Sequence, residues 1–164
     1  MYLPDHDVTL ELLSEAHAEA LLAFERENRA YFAASIQDRG DAFFEEFGAR
    51  HAALLAEQEA GICQFHVLVD GSGAVVGRLN LYDLENGSAE LGYRIAEKAA
   101  GKGLATAAVR AVAGLAASDY GLTTLRAGTN VTNVASQTVL TRAGFRQVSA
   151  VGDQKTYELT LEDR

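Results

Sequence analysis

A glycine-containing segment in the second half of the chain has the residue types of an anion-binding loop. It reads Lys98-Ala99-Ala100-Gly101-Lys102-Gly103, and a helical pattern begins directly after it at Leu104. Glycine lets the backbone approach a bound group closely, and the free N–H groups at a helix start carry the positive end of the helix dipole. The segment therefore predicts a site for a phosphate or pyrophosphate. A plain helix-initiating turn is the competing interpretation.

Three phosphate-binding patterns can be compared with this segment. The Walker pattern fails, because Lys102 precedes Gly103 and position 97 is Glu97 rather than glycine. The dinucleotide pattern G-x-G-x-x-G would end at Thr106, and hairpin-type strands precede it instead of a βαβ unit. The remaining pattern is the Q/R-x-x-G-x-G/A loop, which binds the pyrophosphate of coenzyme A and has Lys98 at its first position here.

Two further motifs make this interpretation more specific. Residues 129–145 read TNVTNVASQTVLTRAGF. This stretch resembles the T-N-x-x-N-x-x-S-x-x-V-L-x-K/R-x-G-F motif of the GNAT acetyltransferases, specifically the RimJ/RimL-like branch of ribosomal-protein-alanine N-acetyltransferases. Residues 89–95, which read AELGYRI, are similar to the fourth strand of that branch. Lys98 and Ala100 depart from the family loop: Lys98 should leave backbone binding intact, and Ala100 replaces a frequent basic residue, which should weaken cofactor affinity slightly.

The resemblance implies an acetyl-CoA site between two strands that splay apart. The pantetheine arm would lie between residues 89–95 and 125–129 and pair with exposed backbone groups, as an added strand does. For Asn133, a helix N-cap is an equally good interpretation, and it is compatible with cofactor binding. The cofactor-binding residues implied by the family motifs are Leu91, Gly92, Tyr93, Lys98, Gly101, Lys102, Gly103, Leu104, Ala105, Thr106, Asn133 and Ser136.

The resemblance also implies direct attack by an amine in a ternary complex. An α-amino group has a pKa of about 8, so a carboxylate that contacts it directly or through water is enough to remove its proton. We expect Glu90 to be this base, with Asp83 and Glu85 as alternatives; a solvated strand glutamate is the competing interpretation. A backbone N–H near Leu91 or Gly92 is expected to stabilise the oxyanion.

A proton donor for the departing thiolate is expected at Ser136. Many GNAT enzymes have a tyrosine seven residues after the helix asparagine, but Leu140 occupies that position and has no proton to donate. The RimL-like branch has a serine three residues after the asparagine, which matches Ser136. A first-turn helix residue bonded to its own backbone is the alternative interpretation of Ser136.

The hydrophobic pattern predicts the elements that position these residues. We expect the order β α α β β β α β α β β, which describes an α+β, or mixed α/β, GNAT fold. Its twisted sheet should be mostly antiparallel and splayed between the fourth and fifth strands, with about four helices. The predicted strands are 8–13, 62–70, 74–84, 88–96, 122–129, 145–151 and 155–161; the predicted helices are 14–28, 41–61, one that begins at 104, and 133–143, with 29–39 irregular.

Composition limits the classes of protein that fit. The 164 residues, 48% hydrophobic and 23% charged, are typical of one globular domain, so we expect a single GNAT domain over 1–164. No apolar run reaches the roughly 20 residues of a membrane span, the start lacks a secretory signal, and Cys63 is the only cysteine, so a cytoplasmic location is expected. The net charge of −9 argues against nucleic acid or an anionic membrane as a partner. The four histidines lack metal-ligand spacing, so no metal is expected.

The resemblance implies an acyltransferase that moves acetyl from acetyl-CoA to a primary amine. The first acceptor expected is a protein or peptide N-terminal α-amine, such as that of a ribosomal protein. A small-molecule amine (amino acid, polyamine or aminoglycoside) is the alternative, and a non-catalytic acyl-CoA-binding module is the third. Residues 29–60 and the loop after Leu84 should select the acceptor; within them, Tyr31 and Phe32 fit either core packing or acceptor contact. Monomer and homodimer both remain open.

Overall fold

A computed structural model describes residues 1–161 as one eight-stranded sheet with helices packed against it. The strands are β1 (Tyr2–Leu3), β2 (Val8–Leu12), β3 (Gln64–Asp70), β4 (Val75–Glu85), β5 (Ser88–Ile95), β6 (Thr124–Asn130), β7 (Arg146–Val151) and β8 (Gln154–Thr160). Their order in the sheet is β1-β2-β3-β4-β5-β6-β8-β7. Every pair of neighbours in this order is antiparallel except β5 and β6, which run parallel. The predicted mixed, mostly antiparallel sheet is therefore confirmed; the two-residue β1 was not predicted.

Residues 1–161 contain six α-helices, two more than the pattern predicted. The helices are α1 (Ala18–Glu27), α2 (Arg29–Ala33), α3 (Asp41–Glu45), α4 (Phe47–Glu59), α5 (Leu104–Ser118) and α6 (Val134–Arg142). A 3-10 turn over Glu15–His17 precedes α1. In the described part of the chain, no helix combines the length and apolar character that crossing a membrane requires.

Two of the predictions for the first half of the chain are wrong. Residues 29–39 were expected to be irregular, but α2 forms there because Phe32 is buried against Phe24, with ring centroids 5.5 Å apart. The helix expected over 41–61 is interrupted at Glu46, whose backbone (φ −103°, ψ 15°) is not helical. The break divides it into α3 and α4, and both Phe43 and Phe47 still reach the core.

The centre of the sheet is covered on both faces. Residues Val75–Leu81 of β4 are all buried, although successive side chains of a strand point to opposite faces. Both α1 and α5 pack on β4 and supply this cover. The turn after β4 has Asn86 and Gly87 in the left-handed region (φ 52° and 77°), which is the tight hairpin expected from an Asn-Gly pair.

The sheet splits between β5 and β6. These strands pair only at Ser88↔Thr124, Ala89↔Leu125 and Glu90↔Arg126. Beyond Glu90 the two strands no longer pair, so the edge of β5 that faces β6 has no strand partner from Leu91 onward. This confirms the predicted splay, which lies between the fifth and sixth strands once β1 is counted.

Candidate active site

A cavity of about 430 Å³ lies where β5 has separated from β6. Its walls come from α2 and the segment after it, the end of β5, the glycine loop, the start of α5, and α6. It therefore joins the region expected to select the acceptor to the region expected to bind the cofactor. The lining residues are Tyr31, Phe32, Ser35, Ile36, Tyr93, Arg94, Ile95, Ala100, Gly101, Gly103, Ala105, Thr106, Asn133, Ala135, Ser136, Thr138, Val139 and Arg142.

The glycine loop has the geometry of an anion site built from backbone. Gly101 (φ 74°) and Gly103 (φ 80°) adopt left-handed conformations, and Gly103 is the N-cap of α5. The N–H of Ala107 is the first to bond back to Gly103, at 3.1 Å, so the N–H groups of the three preceding helix residues have no carbonyl of the helix to donate to. A Cβ placed on Gly101 would meet no atom within 4 Å, so the space in front of the loop is open. These features fit the pyrophosphate of coenzyme A.

The lysines of the loop point elsewhere. Lys98 and Lys102 line a separate depression together with His6 and Asp70. Lys102 Nζ also donates to the Lys98 carbonyl oxygen at 3.3 Å. Within the loop, the cavity is therefore faced by backbone rather than by lysine charge. Leu104, also expected at the cofactor, has its side chain buried in the core.

A buried asparagine joins the start of the loop to the end of α1. Asn28, at the end of α1, accepts a hydrogen bond from the Glu97 N–H at 3.0 Å and donates to the Phe24 carbonyl oxygen at 2.9 Å. This contact holds the start of the loop against α1. The sequence pattern does not identify it, because its partners are 69 residues apart.

Two hydroxyl groups meet inside the cavity. The Tyr93 hydroxyl donates to Ser136 Oγ at 3.3 Å, and both residues line the cavity. Burial raises the pKa of Tyr93, and the hydrogen bond to Ser136 partly opposes that shift. Tyr93 therefore keeps its proton at neutral pH. Sequence analysis placed both residues at the cofactor but missed their contact. The alternation along β5 predicts only that Leu91, Tyr93 and Ile95 share one face of the strand.

The start of α6 separates the roles of Asn133 and Ser136. Asn133 is the N-cap: its Oδ1 accepts a hydrogen bond from the Ser136 N–H at 3.1 Å. The N-cap interpretation of Asn133 is thus confirmed, and its side chain also lines the cavity. Leu140, at the position where many GNAT enzymes have tyrosine, is buried in the core.

The expected base lies at the fork of the sheet, which is the point where β5 and β6 separate, rather than in the cavity wall. Glu90 is exposed, occupies the last paired position between β5 and β6, and does not line the cavity. Leu91 is buried and Gly92 half-buried; a Cβ on Gly92 would lie 3.2 Å from the Tyr82 ring. Both follow the fork directly but lie outside the lining.

The alternative bases lie at an irregularity in β4. The register between β4 and β5 shifts between Tyr82 and Glu85, and Asp83 has a left-handed backbone (φ 53°). Asp83 and Glu85 are both exposed. They therefore lie before the fork, at the hairpin end of β4.

A cluster of charged residues that sequence analysis missed lies under the acceptor side of the cavity. Glu25 of α1 is only 1% exposed and accepts hydrogen bonds from Arg39 (3.1 and 3.2 Å), Arg78 (3.3 Å) and Arg94 (3.4 Å). Arg94 also stacks over the Phe32 ring, 5.0 Å from its centroid. Burial, followed by the nearby Arg39 charge, lowers the pKa of Arg94. A signal was present in Arg78, a charged residue in the mostly apolar run 75–79.

The described residues show no group of three or more His, Cys, Asp or Glu placed to hold a metal ion. The cavity presents backbone groups, hydroxyls and arginines. That combination suits binding of an anionic cosubstrate at one end and proton transfer at the other.

Comparison with known proteins identifies the family and the fold. Residues 7–146 match the family described as an acetyltransferase (GNAT) domain. No curated protein sequence matches the chain. Solved structures with the same fold include ribosomal-protein-S5-alanine acetyltransferase from Vibrio fischeri, with a TM-score of 0.88 at 20% identity over 96% of this chain and 94% of that one.

Two further structures are similar over most of their length. Mycobacterium smegmatis RimJ in complex with CoA-disulfide has a TM-score of 0.85 at 22% identity, over 97% of this chain and 84% of that one. Spermidine N-acetyltransferase from Vibrio cholerae in complex with CoA and spermine has a TM-score of 0.78 at 16% identity, over 96% and 97%. At these identities the similarity shows a shared fold and leaves the acceptor open.

Proposed function

This chain belongs to the GNAT acetyltransferase family and is an acyltransferase that uses acetyl-CoA, and we propose that its acceptor is the N-terminal α-amine of a protein or peptide. Acetyl-CoA supplies an acetyl group activated as a thioester. The observation that supports acetyl-CoA as the cosubstrate is the separation of β5 from β6 after Glu90, beside the open glycine loop. The similarity to a ribosomal-protein-S5-alanine acetyltransferase supports a peptide acceptor.

The glycine loop is the proposed pyrophosphate site. The backbone N–H groups from Gly101 to Thr106 would bind the phosphate oxygens, and the dipole of α5 favours the negative charge. The unpaired edge of β5 beyond Glu90 offers N–H and C=O groups of alternate residues to an extended arm. An N–H on this edge near Leu91 or Gly92 is the proposed oxyanion donor.

Glu90 is the proposed base for the amine. Its carboxylate is exposed at the fork and lies outside the cavity lining, so its position favours proton removal through a water molecule over direct contact. The α-amine, with a pKa of about 8, is partly neutral near pH 7, so a weak base is sufficient. Asp83 and Glu85 remain the alternatives.

Ser136 is the proposed proton donor at the thiol end, with Tyr93 behind it. Because Ser136 Oγ accepts the Tyr93 hydroxyl proton in a hydrogen bond, the Ser136 O–H is left to point into the cavity. As the Ser136 proton moves to the departing sulfur, the Tyr93 proton can move to Ser136 Oγ, and a proton from solvent then restores the Tyr93 hydroxyl. Tyr93 is suited to this role because burial keeps it protonated at neutral pH.

A thiol-release assay tests the acceptor. Peptides that begin with alanine should release CoA from acetyl-CoA faster than spermidine or an aminoglycoside does. The same peptides with a blocked N-terminus are the control and should give only the background rate. Faster turnover of spermidine would contradict the peptide acceptor, and the absence of release with every amine would favour a non-catalytic binding module.

A further inference from the structure

The charged cluster around Glu25 contains more positive than negative charge. One carboxylate faces three guanidinium groups, those of Arg39, Arg78 and Arg94. Glu25 uses both of its oxygens: Oε1 is bonded by Arg39 and Arg94, and Oε2 by Arg39 and Arg78. The cluster therefore has a formal excess of two positive charges. This is unusual in a chain whose net charge is −9.

The hydrogen-bonding capacity of the arginines is also unfilled. Arg78 is 5% exposed, and its Nε has no hydrogen-bond partner. Arg94 makes a single contact with Glu25, at 3.4 Å, although a guanidinium has five N–H groups. The cost of the unpartnered donor falls on Arg78, whereas the remaining N–H groups of Arg94, which lines the cavity, are available to an anion there.

The cluster meets the cavity at Arg94. This residue lines the cavity from β5, next to Tyr93, and its guanidinium is held over the ring of Phe32, another lining residue. Arg94 and Tyr93 are adjacent in a strand and so point to opposite faces of the sheet. Arg94 thus faces the side covered by α1 and α2, away from the hydroxyl pair.

From this arrangement we infer that the acceptor has a carboxylate near its amine and that Arg94 binds this carboxylate. The inference rests on the proposed amine acetylation and narrows its substrate class. Arg39 and Arg78 bind both oxygens of Glu25, so Glu25 cannot fully neutralise Arg94. A planar guanidinium suits a carboxylate, which accepts two parallel N–H groups.

The carboxylate has two possible sources, which share one chemistry. It is either an acidic side chain in the first residues of a peptide or the α-carboxylate of a free amino acid. Both place a negative charge a few bonds from the amine. A polyamine or an aminoglycoside places positive charge there instead and is repelled by the excess charge of the cluster.

Matched acceptor pairs test the inference. The peptides Ala-Asp-Ala-Ala and Ala-Asn-Ala-Ala differ in one charge, as do free alanine and its α-amide. In the pair that matches the natural acceptor, the compound with the carboxylate should have the higher kcat/KM. The expected ratio to its amide is on the order of 10- to 100-fold, as for a charge-assisted hydrogen bond. Each pair is compared at saturating acetyl-CoA and at a pH where both amines are neutral.

Variants test whether Arg94 is the source of the selectivity for a carboxylate. In Arg94→Met the ratio should fall to near 1, and Arg94→Lys should restore part of it. Arg146→Met is the matched control, because Arg146 is an exposed arginine on β7 outside the cavity lining; it should keep the wild-type ratio. Equal turnover of both members of each pair by the wild-type enzyme, or a ratio unchanged in Arg94→Met, would overturn the inference while leaving acetyl transfer intact.

A binding measurement separates the remaining outcomes. With CoA present, the carboxylate compounds should raise the melting temperature of the wild-type protein more than their amides do, and Arg94→Met should lose that difference. If Arg94→Met instead weakens acetyl-CoA binding and leaves acceptor selectivity unchanged, the cluster serves the cosubstrate and the inference is wrong. If no amine is turned over but the carboxylate-dependent shift is present, the proposed function fails and the anion site stands.

Discussion

The two walls of the cavity offer different groups to a ligand. The wall made by the glycine loop and α5 presents backbone N–H groups, and its lysine side chains point into another depression. The wall made by α2 and the end of β5 presents side chains, namely Arg94 over Phe32 with the Glu25 cluster beneath. A backbone wall suits a cosubstrate that never changes, whereas a side-chain wall can be altered to change the acceptor. Five substitutions test the roles assigned to the residues around this cavity.

The largest effect is expected from Gly103→Val, which breaks the backbone wall. A branched side chain is strained at φ 80°, and relief of that strain would shift the loop N–H groups that bind the pyrophosphate, so acetyl-CoA binding should be lost. Titration calorimetry measures the affinity. Gly114→Val is the matched control, because Gly114 lies within α5 with nothing within 4 Å of an added Cβ. Unchanged affinity in Gly103→Val would contradict the proposed loop.

Glu90→Gln should affect the chemistry without affecting either wall. We expect kcat to fall on the order of 10²- to 10⁴-fold, because the amine loses its base. The loss should shrink at high pH, where the amine is already neutral, and acetyl-CoA affinity should barely change. Steady-state kinetics across pH measure this. A near-native kcat at pH 7 would assign the role to Asp83, Glu85 or solvent.

Ser136→Ala and Tyr93→Phe test the hydroxyl pair on the cosubstrate side. Serine is a weak acid and the CoA thiolate a tolerable leaving group, so we expect kcat to fall roughly 10- to 100-fold in Ser136→Ala, at or below the low end of general acid catalysis. Tyr93→Phe should show a smaller loss, because Ser136 keeps its own proton. Intact kcat in Ser136→Ala would leave the thiolate without assistance from this pair.

Asn133→Ala should have the smallest effect and acts mainly on stability. Removing the side chain that caps the Ser136 N–H should cost about 1 kcal/mol of unfolding free energy. Chemical denaturation measures this. Ser136→Ala provides the comparison, because it keeps the capped backbone N–H and should lose activity with less loss of stability. A large loss of acetyl-CoA affinity in Asn133→Ala would show a direct contact in addition to the cap.

The contacts that the sequence predicts are those between residues close together along the chain. The Asn86-Gly87 hairpin, the glycine loop and the cap at Asn133 depend on neighbours within a few positions, and their patterns predict them. The Tyr93–Ser136 contact joins residues 43 apart, and Glu25 lies 53 residues from Arg78 and 69 from Arg94. Such contacts depend on how the strands and helices meet, which local periodicity does not determine.

The errors in the first half of the chain have the same origin. The α2 helix is only five residues long, too short to be stable alone, and depends on Phe32 packing and on Arg29 bound to Asp38 and Asp41 at 2.8 Å. Phe43 and Phe47 pack edge to face across the interruption at Glu46, with ring centroids 5.7 Å apart, and both are buried in the core. An unbroken helix would give these two residues the same spacing, so the period of the apolar residues does not reveal the break.

The outward orientation of Lys98 and Lys102 has a consequence for mutational tolerance. A loop that binds its ligand through main-chain atoms places few restrictions on the identity of its outward-facing side chains. The exceptions are positions where a left-handed backbone requires glycine. Main-chain binding is compatible with the departure of Lys98 from the loop pattern that the sequence resembles. A saturation library of this loop should therefore tolerate many substitutions at Lys98 and Lys102 and few at Gly101 and Gly103. The same freedom makes Lys102 a suitable position for a fluorescent label that reports on the loop without entering the cavity.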